Sequence, residues 1–550
     1  MRYALIILFF LLTPTLAEDG YQTFDRVWSL VEEKFYDKEL NGLDSQVVRA
    51  EAREALIGVD DPEQTARIIN EFLGRLDASH THLFSDRDPD YYELLDVFNF
   101  GPYEEQIKER FDGDAPHYHG ILIHQKDGTV VDVVPGGPAD LAGLRTGDQI
   151  LSVEDRPYHP IDSFRDRVGE PVEIQVSRGE DRLSITVRPE DVYPRQAFLR
   201  SIAESAEIIP GDLYDIGYVR MWSYAGEVYH EALTQVLKEK LADADGLLLD
   251  LRGRWGGAQP QYIELFTPTP KLVFTEQDGN EFETDGSAWN KPVGLIVDPT
   301  VSSGKEVLAY GFRKNSLGPV IGERTQGALL GGSLHLLPGG YALYLATVDV
   351  QVDGQRLEGL GVGPTHLQKP DARAAARILT LEMIQQDLAW RADLDQSARL
   401  RDSDQTLAID QDNTAWARRV IDLVGWPTES MVGKESAHLF WLLVQHTPDL
   451  DFQEECLALM TRAVDDDEAS ATDLAYLYDR VQMRRKRPQR YGTQLWVEGD
   501  SELKLWFVED LEHLDERRQE LNLPPVAEYL KLFNIEGYRK LEDVMHPLKR

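Results

Sequence analysis

Apolar side chains recur at helical spacing between Phe24 and Leu73, first as Val27, Trp28, Val31 and Phe35 and later as Ile68, Ile69, Phe72 and Leu73. Such stripes predict helices that bury one face. The turn signal Gly58, Val59, Asp60, Asp61 parts the two stripes, and the polar run Leu76, Asp77, Ala78, Ser79, His80, Thr81 follows the second. The period changes between about Tyr118 and Pro189, where short β-rich runs at 121–123, 130–134, 150–153, 172–176 and 183–187 are broken by glycine and proline. From Ile216, strand-like runs at 217–221, 246–251 and 293–297 alternate with helical runs at 228–241 and 305–314, the pattern of an α/β layer. Beyond Asp371 the pattern is helical to the end, with no catalytic motif and no repeat period.

The chain has 550 residues, 42% of them hydrophobic, more than one core can hold. We expect a leader at 1–17, a helical N-terminal domain at 18–98, a β-rich module at 99–190, an α/β core at 191–370 and a helical C-terminal domain at 371–550. Met1 and Arg2, an apolar run from Ala4 to Leu12, Pro14 and the exit Thr15, Leu16, Ala17 predict a cleavable secretion signal. The run is too short to span a bilayer, and no later stretch is long enough to do so. Export to a periplasmic or extracellular space follows, with a retained anchor as the alternative. Cys456 is the single cysteine, so an intramolecular disulfide is excluded and a buried, inert thiol is expected in its apolar helical setting. A formal net charge of −39 disfavours nucleic acid as a partner. The run Arg484, Arg485, Lys486, Arg487 reads as a solvated helix end.

The β-rich module carries Pro135, Gly136, Gly137, Pro138, Ala139, then Ala142, Gly143, Leu144, Arg145, Thr146, Gly147, Asp148, Gln149, Ile150, Leu151. This resembles a PDZ domain, a module that adds an extended peptide to a sheet edge and holds its terminal carboxylate on a turn of backbone amides. The resemblance puts that turn at Tyr118, His119, Gly120 and Ile121, against the alternative of a module that only packs on the core.

Three glycine-bearing loops follow strands of the α/β core, where such folds place their sites. Leu249 to Gly257 ends in Arg254, Trp255, Gly256, Gly257, and paired glycines let backbone N–H groups approach a developing oxyanion. Asp298 to Glu306 contains Ser302, Ser303 and Gly304 at a strand-to-helix turn, where a serine is exposed and the helix N-terminus favours negative charge. An N-cap serine is the competing role. The third loop, Val320 to Ala328, precedes a segment running from Gly354 through Glu358 to Gly363 and Pro364.

In this order the motifs resemble the C-terminal processing peptidases, the superfamily of tail-specific proteases and the tricorn core protease, over about Phe24 to Pro364. The resemblance implies a crotonase-like ββα core and peptide-bond hydrolysis through an acyl-enzyme, with no metal and no cofactor. The tail-specific branch uses a lysine in a T-x-G-K segment that here reads Thr325, Gln326, Gly327, Ala328; its helper aspartate falls near Lys314. The tricorn-like branch uses a histidine preceded by serine and a glutamate before a G-V-x-P segment, which here are His80, Ser79 and Glu358. That branch implies Ser303 as nucleophile, His80 as base, Glu358 and Ser79 as the orienting network, and an oxyanion hole from Gly304 with one of Gly256 or Gly257. Ser302 and His82 are the neighbouring alternatives, and Asp250 and Arg252 are expected to hold their loop. Polypeptides engaged by their C-termini are the expected partners, and self-association is left open. A catalytically silent peptide-binding protein, or a C-terminal docking platform, are the competing readings.

Overall fold

The computed structural model describes residues 20–267, 273–275, 280–283, 289–369, 371–401, 404–498 and 502–546. The expected secretion signal lies outside them. Two compact units divide the chain: one holds the residues up to Ile209 with Ile216–Ala375, the other Pro210–Asp215 with the residues from Ala376 onward.

In the first unit, helices α1 (Gly20–Lys34), α2 (Ser45–Ala55) and α3 (Pro62–Leu73) bury the predicted stripes. Asp61 caps α3, its carboxylate accepting from the Gln64 amide at 2.8 Å. A strand the periodicity did not announce follows: β1 (His82–Ser85). Helix α4 (Pro89–Val97) starts on the Asp88 cap with Pro89 in its first turn, and α5 spans Glu104–Arg110.

The β-rich module begins with β2 (Tyr118–Gly120), followed by β3 (Ile123–Lys126), β4 (Thr129–Val133), the single turn α6 (Pro138–Leu141), β5 (Gln149–Val153), β6 (Val172–Arg178), β7 (Asp181–Val187) and β8 (Glu190–Val192). Strands β3 to β7 form one antiparallel sheet in sequence order, with β3 at an edge. Ile121, Val130, Leu144, Phe164, Ile174 and Val187 fill its core. An Arg220–Asp132 ion pair fixes β4 to the neighbouring layer, and His159 Nε2 meets Glu63 Oε1 of α3 at 2.7 Å.

The main layer comprises α7 (Pro194–Ser205), β9 (Glu207–Ile209), β10 (Ile216–Arg220), α8 (Glu227–Glu239), β11 (Gly246–Asp250), a small hairpin of β12 (Val273–Thr275) and β13 (Glu281–Glu283), β14 (Val293–Val297), α9 (Gly304–Asn315) and β15 (Val320–Gly322). A long hairpin of β16 (Gly331–Leu337) and β17 (Tyr341–Val348), a short one of β18 (Gln351–Val352) and β19 (Gln355–Arg356), and β20 (His366–Leu367) complete it. The six-stranded sheet runs β20-β15-β14-β11-β10-β9, parallel except for β9. Its central strands β11 and β14 are buried throughout, which explains their continuous apolar runs. Strand β1 pairs with β17 in a second sheet, β1-β17-β16, whose Leu343, Leu345 and Ala346 pack with Phe24, Trp28 and Phe72 of the helices. That pairing carries the segment after α3 to residues more than two hundred positions later.

The second unit is helical from α10 (Ala372–Leu400) through α11 (Thr406–Val424), α12 (Glu429–Val432), α13 (Lys434–His446), α14 (Leu450–Asp465) and α15 (Ala471–Arg484). A hairpin of β21 (Leu495–Glu498) and β22 (Glu502–Leu505) then interrupts the helical pattern before α16 (Leu514–Glu520) and α17 (Val526–Lys531). Cys456 is a buried free thiol, and burial pushes its pKa up. The basic run lies at the end of α15 with Arg485, Lys486 and Arg487 exposed, while Arg484 donates to the Thr447 carbonyl at 2.8 Å and Arg485 to Glu454 at 2.6 and 2.7 Å. No helix among the described residues is long and apolar enough to cross a membrane.

Candidate active site

The turn from β14 into α9 gives Ser303 a backbone of φ 56°, ψ −133°, a region that costs a residue with a side chain about 1–3 kcal/mol and is retained where the surroundings enforce it. Those surroundings are visible. The Ser303 amide donates to the Ala328 carbonyl at 2.8 Å and lies 3.1 Å from Glu306 Oε2. Glu306, fully buried, also accepts from Thr325 Oγ1 at 2.5 Å, the Gly327 amide at 2.7 Å and the Ala328 amide at 2.8 Å. Burial pushes its carboxyl above the ordinary range while these donors oppose the shift. Ser302 is committed elsewhere, its hydroxyl donating to the Arg254 carbonyl at 3.0 Å.

Gly256 sits against this turn so closely that an added Cβ would lie 2.5 Å from Ser303 Cβ and 2.6 Å from the Ser302 carbonyl; only glycine fits. Gly257 takes φ +84°, and a Cβ on Gly304 would meet the Ala258 carbonyl at 2.2 Å. The amides of Gly257 and Gly304 donate to no backbone or side-chain acceptor among the described residues. Asp250, buried at the end of β11, clamps its own loop through Arg252, with Arg252 Nε at 2.9 and 3.0 Å and Nη2 at 2.6 Å.

His80 follows the 3₁₀ turn after α3 at φ 56°. Ser79 joins it to Glu358: the Ser79 amide donates to Glu358 Oε1 at 2.8 Å, the Ser79 hydroxyl to Oε2 at 2.9 Å, and that hydroxyl lies 2.8 Å from His80 Nδ1. Because the hydroxyl proton is spent on the carboxylate, Ser79 Oγ accepts from Nδ1–H, which leaves Nε2 as the basic nitrogen. The Leu329 amide, at 2.6 Å, holds the same carboxylate oxygen. Burial lowers the His80 pKa to about 4, against the opposing charge of Glu358. His82 lines the same cavity, its Nε2 3.1 Å from Asn70 Nδ2, and has no hydrogen bond to Ser79 or Glu358 among the described residues.

Ser79, His80, Ser302, Ser303, Gly256 and Gly257 line one cavity of about 1390 Å³. Among the described residues no hydrogen bond joins His80 to Ser303. Ala328 stands where a T-x-G-K segment has its lysine, and Lys305 does not replace it. Its fully buried Nζ donates to the Met221 and Trp222 carbonyls at 2.7 and 3.0 Å, and burial lowers its pKa to about 7. Lys314 pairs with Asp353 at 2.6 Å.

In the segment that the PDZ resemblance offers for a chain-end carboxylate, Tyr118 to Ile121, the first three residues form a strand. Tyr118, His119 and Gly120 pair as a strand with Val192, Asp191 and Glu190, and the Tyr118 ring is buried 5.3 Å from that of Tyr92. Ile121 and Leu122, the latter at φ 59°, connect that strand to β3. None of Tyr118 to Ile121 lines the cavity, whereas all four residues of edge strand β3 do.

Sequence reasoning passed over Glu306, although Ser303-x-x-Glu306 is a capping-box pattern that signals it. It also passed over Asp90 and Glu93, whose partners are Arg254 and Trp255; at that separation no local signal exists.

A peptidase family S41 model matches residues 215–367, a PDZ domain model residues 129–178, and a family of unknown function (DUF6624) residues 380–540. The chain is thus a serine-type peptidase carrying a PDZ module. It is 25% identical over 378 residues to a carboxyl-terminal-processing protease of Synechocystis sp., covering 66% of this chain and 84% of that one. It is 23% identical to the carboxy-terminal processing protease CtpA of Bacillus subtilis, covering 46% and 54%. The solved photosystem II D1 C-terminal processing protease is 20% identical with a TM-score of 0.39, covering 66% of this chain and 98% of that one. The family-model matches and the carboxyl-terminal-processing relatives support a C-terminal processing peptidase.

Proposed function

We propose that the protein is an exported endopeptidase in which Ser303 attacks the scissile carbonyl and His80 takes its proton through Nε2, later returning it to the leaving amine. The Glu358–Ser79–His80 relay carries this reading: it fixes the imidazole in the one tautomer that can accept from a serine. Gly304 and Gly257 offer free amides for the oxyanion, and Gly256 keeps the loop against Ser303. The missing His80–Ser303 bond fits a site that closes on substrate, since such bonds tighten in the substrate complex. Edge strand β3, lining the same cavity, suits a substrate chain end added as a further strand, with its carboxylate near Ile121, where the backbone passes from β2 to β3. The apolar run from Ala4 to Leu12 and the exit Thr15, Leu16, Ala17 support export.

The test is cleavage of an unfolded protein substrate by wild type, Ser303→Ala and His80→Ala. The reading requires turnover in wild type alone; full turnover in either variant removes that residue from the mechanism, and none in wild type leaves a peptide-binding protein.

A further inference from the structure

The two residues between Gly253 and Gly256, Arg254 and Trp255, leave their loop and reach helix α4. Arg254 forms an ion pair with Asp90, and Trp255 Nε1 donates to Glu93 Oε2 at 2.5 Å. The Arg254 guanidinium lies 5.4 Å from the Trp255 ring centre, so the two attachments brace each other. Glu93 is only 5% exposed, and burial beside Asp90 raises its pKa. The loop is bounded by Gly253 at φ +122° and Gly257 at φ +84°, conformations open to glycine and easily re-set. Toward the reaction centre the same residues carry the Arg254 carbonyl that accepts from Ser302 and the backbone of Gly256 packed on Ser303. The segment is therefore pinned to α4 on one side and to the serine turn on the other, and a shift of α4 moves the loop against Ser303.

We propose that Asp90 and Glu93 are positioning residues that set the oxyanion-binding loop through Arg254 and Trp255. The inference rests on the peptidase reading of the site. Oxyanion donors act through placement, and losing one costs about 100- to 1000-fold in kcat. Loosening the loop without removing a donor is expected to cost about 10-fold or more.

The experiment compares wild type with Glu93→Ala, Glu93→Gln and Trp255→Phe, using a fluorogenic peptide and an inhibitory peptide aldehyde, whose tetrahedral adduct carries the oxyanion. The expected result is a fall in kcat of about 10-fold or more in Glu93→Ala and Trp255→Phe, KM within twofold, and a parallel loss of aldehyde affinity. Glu93→Gln, whose amide oxygen still accepts from the indole, recovers most of the rate. Should Glu93→Ala fail to fold, Trp255→Phe and Glu93→Gln decide. If wild type cleaves, Ser303→Ala does not, and Trp255→Phe matches wild type in kcat and aldehyde affinity, the inference is overturned while the peptidase reading stands. Absence of cleavage by wild type overturns both.

Discussion

Replacing Ser79 by alanine isolates the relay that the account needs. In the native site the Ser79 hydroxyl sits 2.9 Å from Glu358 Oε2 and 2.8 Å from His80 Nδ1, transmitting the carboxylate's preference to the imidazole. The amide contact to Glu358 Oε1 survives the change, so the backbone and the φ of His80 stay in place. What is lost is a hydrogen bond to a charged group and the acceptor that fixes the tautomer, about 1.5–3 kcal/mol, or about 10- to 100-fold in kcat/KM. Ser79→Thr keeps the hydroxyl and recovers most of that loss. The assay is steady-state turnover of a fluorogenic peptide, with thermal unfolding as the control for folding. Activity of Ser79→Ala within twofold of wild type, with the same pH profile, would refute the relay.

Other consequences are equally direct. Because burial lowers the His80 pKa to about 4, its neutral, proton-accepting form persists below the ordinary histidine range. The acid limb of kcat/KM should lie well under pH 6.5, and a limb at or above that value counts against His80 as base. The same depressed pKa makes the unfolded chain bind the extra proton between about pH 6.5 and 4, so denaturant titrations should show His80's stabilising contribution present above that window and lost through it on acidification. Gly256→Ala puts a Cβ 2.5 Å from Ser303 Cβ; turnover should collapse and stability fall by about 1–3 kcal/mol. Glu306→Gln turns an NH2 toward amide donors that now meet a carboxylate, costing about 1–3 kcal/mol in thermal unfolding.

The central strands were legible because a parallel strand buried on both faces must be apolar throughout, as 293–297 is, and the strand-to-helix serine follows from that placement. The pairing of β1 with β17 was not legible, since it depends on contacts between His82–Ser85 and Tyr341–Tyr344 that local periodicity does not record. The pairing of Tyr118–Gly120 with Glu190–Val192, its first ring packed on Tyr92, was not announced by local pattern either. The β21–β22 hairpin was hidden for a similar reason: Leu495, Trp496 and Val497 suit either period over so short a run. Ser79, His80 and Glu358 came from the resemblance, not from spacing, and the structure brings the three within hydrogen-bond reach.

The most direct measurement is the rate and site of labelling by a fluorophosphonate, mapped by mass spectrometry, in wild type and His80→Ala. We expect one label per chain, on Ser303, forming at least about 100-fold more slowly without the imidazole. Labelling at Ser302, or an unchanged rate in His80→Ala, would contradict the Ser303–His80 assignment.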